Sequence, residues 1–121
     1  MIICKQIAQN IYTLYNLGKI VDWKNKDDVN RDSDRYPGEW IVIDCRLNDR
    51  TVNVSLWRSK KEIVPDERKV MELNQVFNIT NLWFNDKGRY YCRACGNKME
   101  KSLGYLNIAS GIMYQTSCYM N

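Results

Sequence analysis

Asp86-Lys87-Gly88-Arg89-Tyr90-Tyr91-Cys92 is the stretch on which the reading of this chain turns. Two charged residues lead into a glycine, and the glycine leads into an aromatic run that ends on a cysteine. Glycine permits a turn conformation that a Cβ bars. Tyrosine after it favours an extended strand, where the flat ring packs on a half-buried surface. The pattern D-x-G-x-Y-x-C is thus a turn feeding a strand. A second cysteine, Cys45, lies upstream, and Trp57 follows it.

Outward from that stretch the texture is one of short strands and polar turns. Trp40-Ile41-Val42-Ile43-Asp44-Cys45 reads as a strand with Trp40 or Ile41 parity facing inward. Val52, Val54 and Leu56 alternate with Asn53, Ser55 and Trp57. Arg68-Lys69-Val70 and Val76-Phe77-Asn78-Ile79 are two more strands, Arg89 to Cys95 another, and Leu103 to Ala109 the last. Strands at this spacing predict an all-β sandwich or barrel. Residues 22–39 are polar and read as a solvated connector closed by the Tyr36-Pro37-Gly38 turn. Nearer the start, Ile3, Ile7, Ile11 and Leu14 follow helical spacing and Gly18 stands where a helix would stop, yet the β-branched content suits a strand equally. The expected organisation is an N-terminal extension over 1–20, one domain over 21–110, and a tail or linker over 111–121.

Composition narrows the function classes. The chain has 121 residues, 45% of them hydrophobic and 26% charged, which is globular rather than disordered. The net charge of +4 permits weak attraction to acidic surfaces but does not argue for nucleic acid. Histidine is absent, which removes the usual general base, zinc ligand and pH switch. With no nucleophile motif either, the expectation is a non-enzyme that needs no cofactor or metal. No apolar run is long enough to span a bilayer. The opening residues lack the apolar core of a signal peptide, so an extracellular chain would be a piece of a longer protein.

The set Cys45, Trp57 and Asp86-Lys87-Gly88-Arg89-Tyr90-Tyr91-Cys92 resembles the immunoglobulin superfamily over roughly residues 38–109. The resemblance implies a two-sheet antiparallel sandwich with Greek-key connections. It implies a Cys45–Cys92 bridge between the sheets, worth about 4 kcal/mol through the unfolded chain. Trp57 would press on that bridge, Tyr90 would be the corner tyrosine bonding back to the backbone, and Asp86 would pair with Arg68. Phe77, Ile79 and Leu82 fall where inward residues belong, and the short cysteine spacing suits the I-set or C2-like variety. The run Trp57 to Arg68 also resembles ligand-binding domains of fibroblast-growth-factor receptors, departing from them by one residue.

Three cysteines remain. Cys95 either bridges to Cys4 or Cys118, or all three are unpaired thiols; a Cys92-x-x-Cys95 redox or zinc motif lacks its partners. Asn53-Val54-Ser55 and Asn78-Ile79-Thr80 are glycosylation sequons expected to face solvent. Arg58, Lys60 and Lys61, with Arg89, Arg93, Lys98 and Lys101, form a polyanion site of the heparan-sulfate kind if they share one face. The resemblance implies an extracellular or cell-surface recognition module of a receptor or adhesion protein. Its contacts to a protein ligand or homophilic partner would be Arg89, Tyr91 and Arg93. The alternative is a structural intracellular I-set module with reduced cysteines.

Overall fold

Alternation with period two decides which side chains meet. The computed structural model describes residues 2–64, 69–72 and 74–110, and the side chains of all these except 69–72. The strands are β1 (Cys4–Ala8), β2 (Ile11–Leu14), β3 (Lys19–Val21), β4 (Ser33–Arg35), β5 (Ile41–Asp44), β6 (Val54–Arg58), β7 (Lys61–Glu62), β8 (Lys69–Glu72), β9 (Val76–Ile79), β10 (Gly88–Ala94) and β11 (Met99–Ile108). A 3-10 turn, Phe84–Asp86, precedes β10.

Two sheets face each other. One has the order β5-β9-β8, the other β4-β11-β10-β6-β7. The chain changes sheet between β4 and β5, between β5 and β6, between β7 and β8, and between β9 and β10, as a Greek-key sandwich requires. All pairings are antiparallel except β4 with β11, which is parallel. Ile41, Ile43, Phe77, Ile79 and Leu82 meet Val54, Leu56, Tyr90, Ala94, Leu106 and Ile108 in one buried core. Cys45 and Cys92 cross it as a disulfide with Cα atoms 5.8 Å apart and a sequence separation of 47. The Tyr90 hydroxyl donates to the Asp86 carbonyl at 2.6 Å, and the Asp86 carboxylate accepts from the Trp83 N–H at 2.8 Å. Arg68 lies outside the described residues.

Trp57 is not against the disulfide. On β6, Val54 and Leu56 are buried while Ser55, Trp57 and Arg58 are only partly so. Leu56 pairs with Cys92 in register and is fully buried, so it fills the place expected of the indole. Trp57 pairs with Tyr91 on the other face. One residue of parity separates the two outcomes, and the Val52-Val54-Leu56 alternation fixes it.

The segment 22–39 is not wholly a solvated connector. Trp23 is buried and bridges to Leu47, and β4 adds to the edge of the larger sheet. Its Asp28 reaches the Nζ of Lys101, 2.7 Å away, while Lys101 also donates to the Asp44 carbonyl at 3.0 Å. Lys101 faces the core in register with Cys92, its charge paired rather than exposed. Gly104, with φ +98°, sits so close to this segment that a Cβ would meet the Arg31 carbonyl oxygen at 2.5 Å.

The first strands resolve the helix-or-strand question in favour of strands. They form a separate sheet, β1-β2-β3. Its inner face brings Tyr12, Leu14 and Val21 into the core. Cys4 is bonded to Cys95, Cα atoms 5.2 Å apart, and the Tyr12 hydroxyl donates to the Lys98 carbonyl at 2.7 Å. Cys118 lies outside the described residues.

Two carboxylates brace the loops at this end. The Arg46 guanidinium donates to both oxygens of Asp44, at 2.9 and 2.8 Å, and holds its pKa at about 2. Asp49 accepts from the hydroxyl and N–H of Thr51, with Lys19 of the first sheet 3.5 Å away. The Thr51 hydrogen bonds lead in lowering its pKa against the cost of burial.

Candidate recognition surface

The outer face of the five-stranded sheet is built by β10, β6, β7 and β11. Because Tyr90, Cys92 and Ala94 point inward, Arg89, Tyr91 and Arg93 point out. Pairing registers then set their neighbours. Glu62, Trp57, Tyr91 and Ser102 form one cross-strand row, and Ser55, Arg93 and Glu100 form the next.

The rows interlock through Arg93. Its guanidinium carbon lies 4.1 Å from the centre of the Trp57 ring and 5.0 Å from that of Tyr91. A cation over an aromatic face is drawn to the ring's negative quadrupole. The two rings are stacked at 6.5 Å with an 18° tilt. Arg93 donates to the Glu100 carboxylate at 2.8 Å and to the Tyr91 hydroxyl at 3.2 Å. Trp57 donates to the Ser55 hydroxyl at 2.8 Å, and the Tyr91 hydroxyl donates to the Ser59 carbonyl. Each long side chain is thereby fixed before any partner arrives, which lowers the ordering cost of binding.

The cations do not form one basic patch. Lys101 is buried, and Lys98 is at the opposite end beside the first sheet. Arg93 is neutralised by Glu100. Arg58 lies across Gly88 and donates to the Asn85 carbonyl at 2.7 Å. Arg89, Lys60 and Lys61 remain exposed around the β6–β7 turn, where the Ser59 N–H donates to the Arg89 carbonyl at 3.1 Å. They make a cationic rim at one end of an aromatic centre.

Arg89, Tyr91 and Arg93 therefore do share one face. Trp57, Ser55 and Glu100 belong with them, though as a set they were not among the expected contacts. The signal for Trp57 was its alternation with Leu56; the signal for Glu100 was absent, because cross-strand register is not written in a single strand. Asn53 is exposed before β6, and Asn78 is on the outer face of the other sheet. Among the described residues no helix is long and apolar enough to cross a membrane, and no group of three metal-ligating side chains occurs.

No family model matches the chain, and no curated protein sequence does. Solved immunoglobulin-domain structures do match. Tandem Ig repeats of Dlar superpose with a TM-score of 0.56 at 13% identity, covering 73% of this chain and 46% of that one. The I9–I11 tandem from titin gives 0.58 at 19% identity, covering 74% and 33%. Sidekick-1 immunoglobulin domains 1–4 give 0.54 at 16% identity, covering 85% and 29%. This chain spans less than half the length of the Dlar structures it matches. At these identities the likeness establishes the fold.

Proposed function

We propose that this immunoglobulin-fold domain is an extracellular protein-recognition module that binds through the outer face of its five-stranded sheet. The observation that carries the reading is Arg93 laid over Trp57 and Tyr91 on a sheet face open to solvent. Aromatic residues and arginine are the types that dominate binding energy at protein interfaces, and here they are already ordered. Two disulfides among five cysteines suit an oxidising compartment. The sequons at Asn53 and Asn78 suit the same route. The run from Trp57 resembling growth-factor-receptor domains points to a receptor, although its Pro65–Arg68 part lies outside the described residues.

The test is a multimerised chain applied to an array of purified ectodomains. Trp57→Ala and Arg93→Ala are each expected to weaken the selected contact by roughly ten-fold or more, the loss of about 1.4 kcal/mol or above. A contact insensitive to both, and lost instead on changing Val42 of the opposite sheet, refutes the assignment of the face. Thiol alkylation before lysis of native cells separates the compartments: Cys45 and Cys92 labelled as free thiols would favour the intracellular structural module.

A further inference from the structure

The opposite sheet has an outer face too, and it carries two exposed apolar side chains. Val42 on β5 is 55% exposed, and Trp40, on the same face two residues earlier, is 63% exposed. Val42 pairs in register with Asn78 on β9, the central strand of that sheet. Cross-strand partners on one face bring their Cβ atoms to about 5 Å, so Asn78 stands beside Val42. Nothing among the described residues covers it.

Asn78 opens the sequon Asn78-Ile79-Thr80. Its Oδ1 is buried with no hydrogen-bond partner among the described residues. Asn78 lies between the buried Phe77 and Ile79 and shares the parity of Val76, so its side chain leaves the sheet on the solvent side. Nδ2 is the atom that accepts a sugar.

We propose that Asn78 carries an N-linked glycan whose first sugar lies over Val42 and Trp40. The inference rests on the secretory reading above and deepens it: one sheet face is sugar-covered, and the Trp57–Arg93 face alone is open to a partner. The donor is a lipid-pyrophosphate-linked oligosaccharide. Nδ2 forms a bond to the anomeric carbon, the bond from that carbon to the pyrophosphate oxygen breaks, and the lipid pyrophosphate leaves with the electron pair. The amide gives up one proton. The transfer takes place on the nascent chain, before β9 is closed in by its neighbours. A sugar at this position meets the flat indole and the valine methyls with its own apolar face, which removes an exposed hydrophobic strip from water. Asn53, exposed just before β6, serves as an internal control.

The experiment is secretion of the full chain from a eukaryotic host behind an added signal sequence. Peptide-N-glycosidase F in heavy-oxygen water then marks each occupied asparagine as labelled aspartate. Label at Asn78 is expected, together with loss of one glycan step in Asn78→Gln. Binding of a hydrophobic dye is expected to rise about two-fold in Asn78→Gln. It is expected to stay low after endoglycosidase H leaves a single sugar, and to fall back in Asn78→Gln/Val42→Thr. Near-ultraviolet circular dichroism verifies that each variant is folded. An unlabelled Asn78 in folded, secreted protein overturns the proposal, whether or not Asn53 is labelled. Label at Asn78 without the dye response overturns the cover. The host supplies the secretory route, so neither result depends on the native compartment; the recognition reading fails separately, in the Trp57 and Arg93 binding assay.

Discussion

Leu56 and Trp57 are neighbours in sequence whose truncation has unequal cost. Leu56 is fully buried and faces Cys92 in register. Leu56→Ala leaves a hole ringed by other core side chains, where relaxation is limited, and the expected loss is about 3 kcal/mol. Trp57 is partly buried on the outer face. Its removal forfeits the Arg93 contact at 4.1 Å, about 0.5–1 kcal/mol at an exposed site. It forfeits a stacking with Tyr91 at 6.5 Å, near the far end of the useful range and worth about 0.5 kcal/mol. The hydrogen bond to Ser55 is replaced by water, and water also fills the space, so no cavity is left. The sum for Trp57→Ala is about 1–1.5 kcal/mol. Urea unfolding followed by circular dichroism reads the difference. With a slope of roughly 1.2 kcal/mol per molar, Leu56→Ala lowers the midpoint by about 2.5 M and Trp57→Ala by about 1 M. Equal shifts, or a larger one for Trp57, would refute the parity argument and return the indole to the core.

Four further outcomes are expected. Gly104→Ala, which forces a Cβ against the Arg31 backbone at φ +98°, should lower the thermal midpoint by several degrees, on the order of 2 kcal/mol, in calorimetry. Tyr90→Phe removes the hydroxyl that donates to the Asp86 carbonyl, costing about 1 kcal/mol in the same urea assay. Asp44, held at about 2 against an ordinary 3.8, contributes stability that is present above pH 4 and lost as pH falls towards 2. Linkage puts this on the order of 2 kcal/mol, which solvent screening at the partly open Arg46 trims to about 1. Asp49 adds to the loss in the same direction, so urea midpoints measured between pH 5 and 2 should fall, and Arg46→Ala should flatten the curve. Cys4→Ser/Cys95→Ser releases the first sheet from β10, and hydrogen exchange should quicken across residues 4–21 while β10 and β6 stay protected.

The alternation of Ile41 and Ile43, of Val54 and Leu56, and of Phe77 and Ile79 is local, because a strand's faces are set by its own backbone; the strands were legible residue by residue, and so was the inward side of Phe77 and Ile79, whereas the choice between Trp40 and Ile41 stayed open until the facing sheet decided it. The D-x-G-x-Y-x-C stretch was legible for the same reason: the turn, the corner hydrogen bond and the cysteine all lie within seven positions. Resemblance, by contrast, misplaced Trp57, since a pattern borrowed from other chains carried an indole into a slot that here belongs to Leu56.

Non-local pairings had no such signature. Trp23 and Ser33–Arg35 stand in polar surroundings and join the sandwich only because Leu47 and β11 are there to receive them. Lys101 looks like a surface cation until Asp28 and the Asp44 carbonyl close around it. Cys95 had two candidate partners, and only the return of β1 to the end of β10 chose Cys4. The sequence alone determined the alternating strands of the two facing sheets and the cross-sheet fold, since these follow from backbone stereochemistry and hydrophobic period. Tertiary structure decided which cations are neutralised and which rings Arg93 covers, because charge and stacking act across strands whose register no single segment contains.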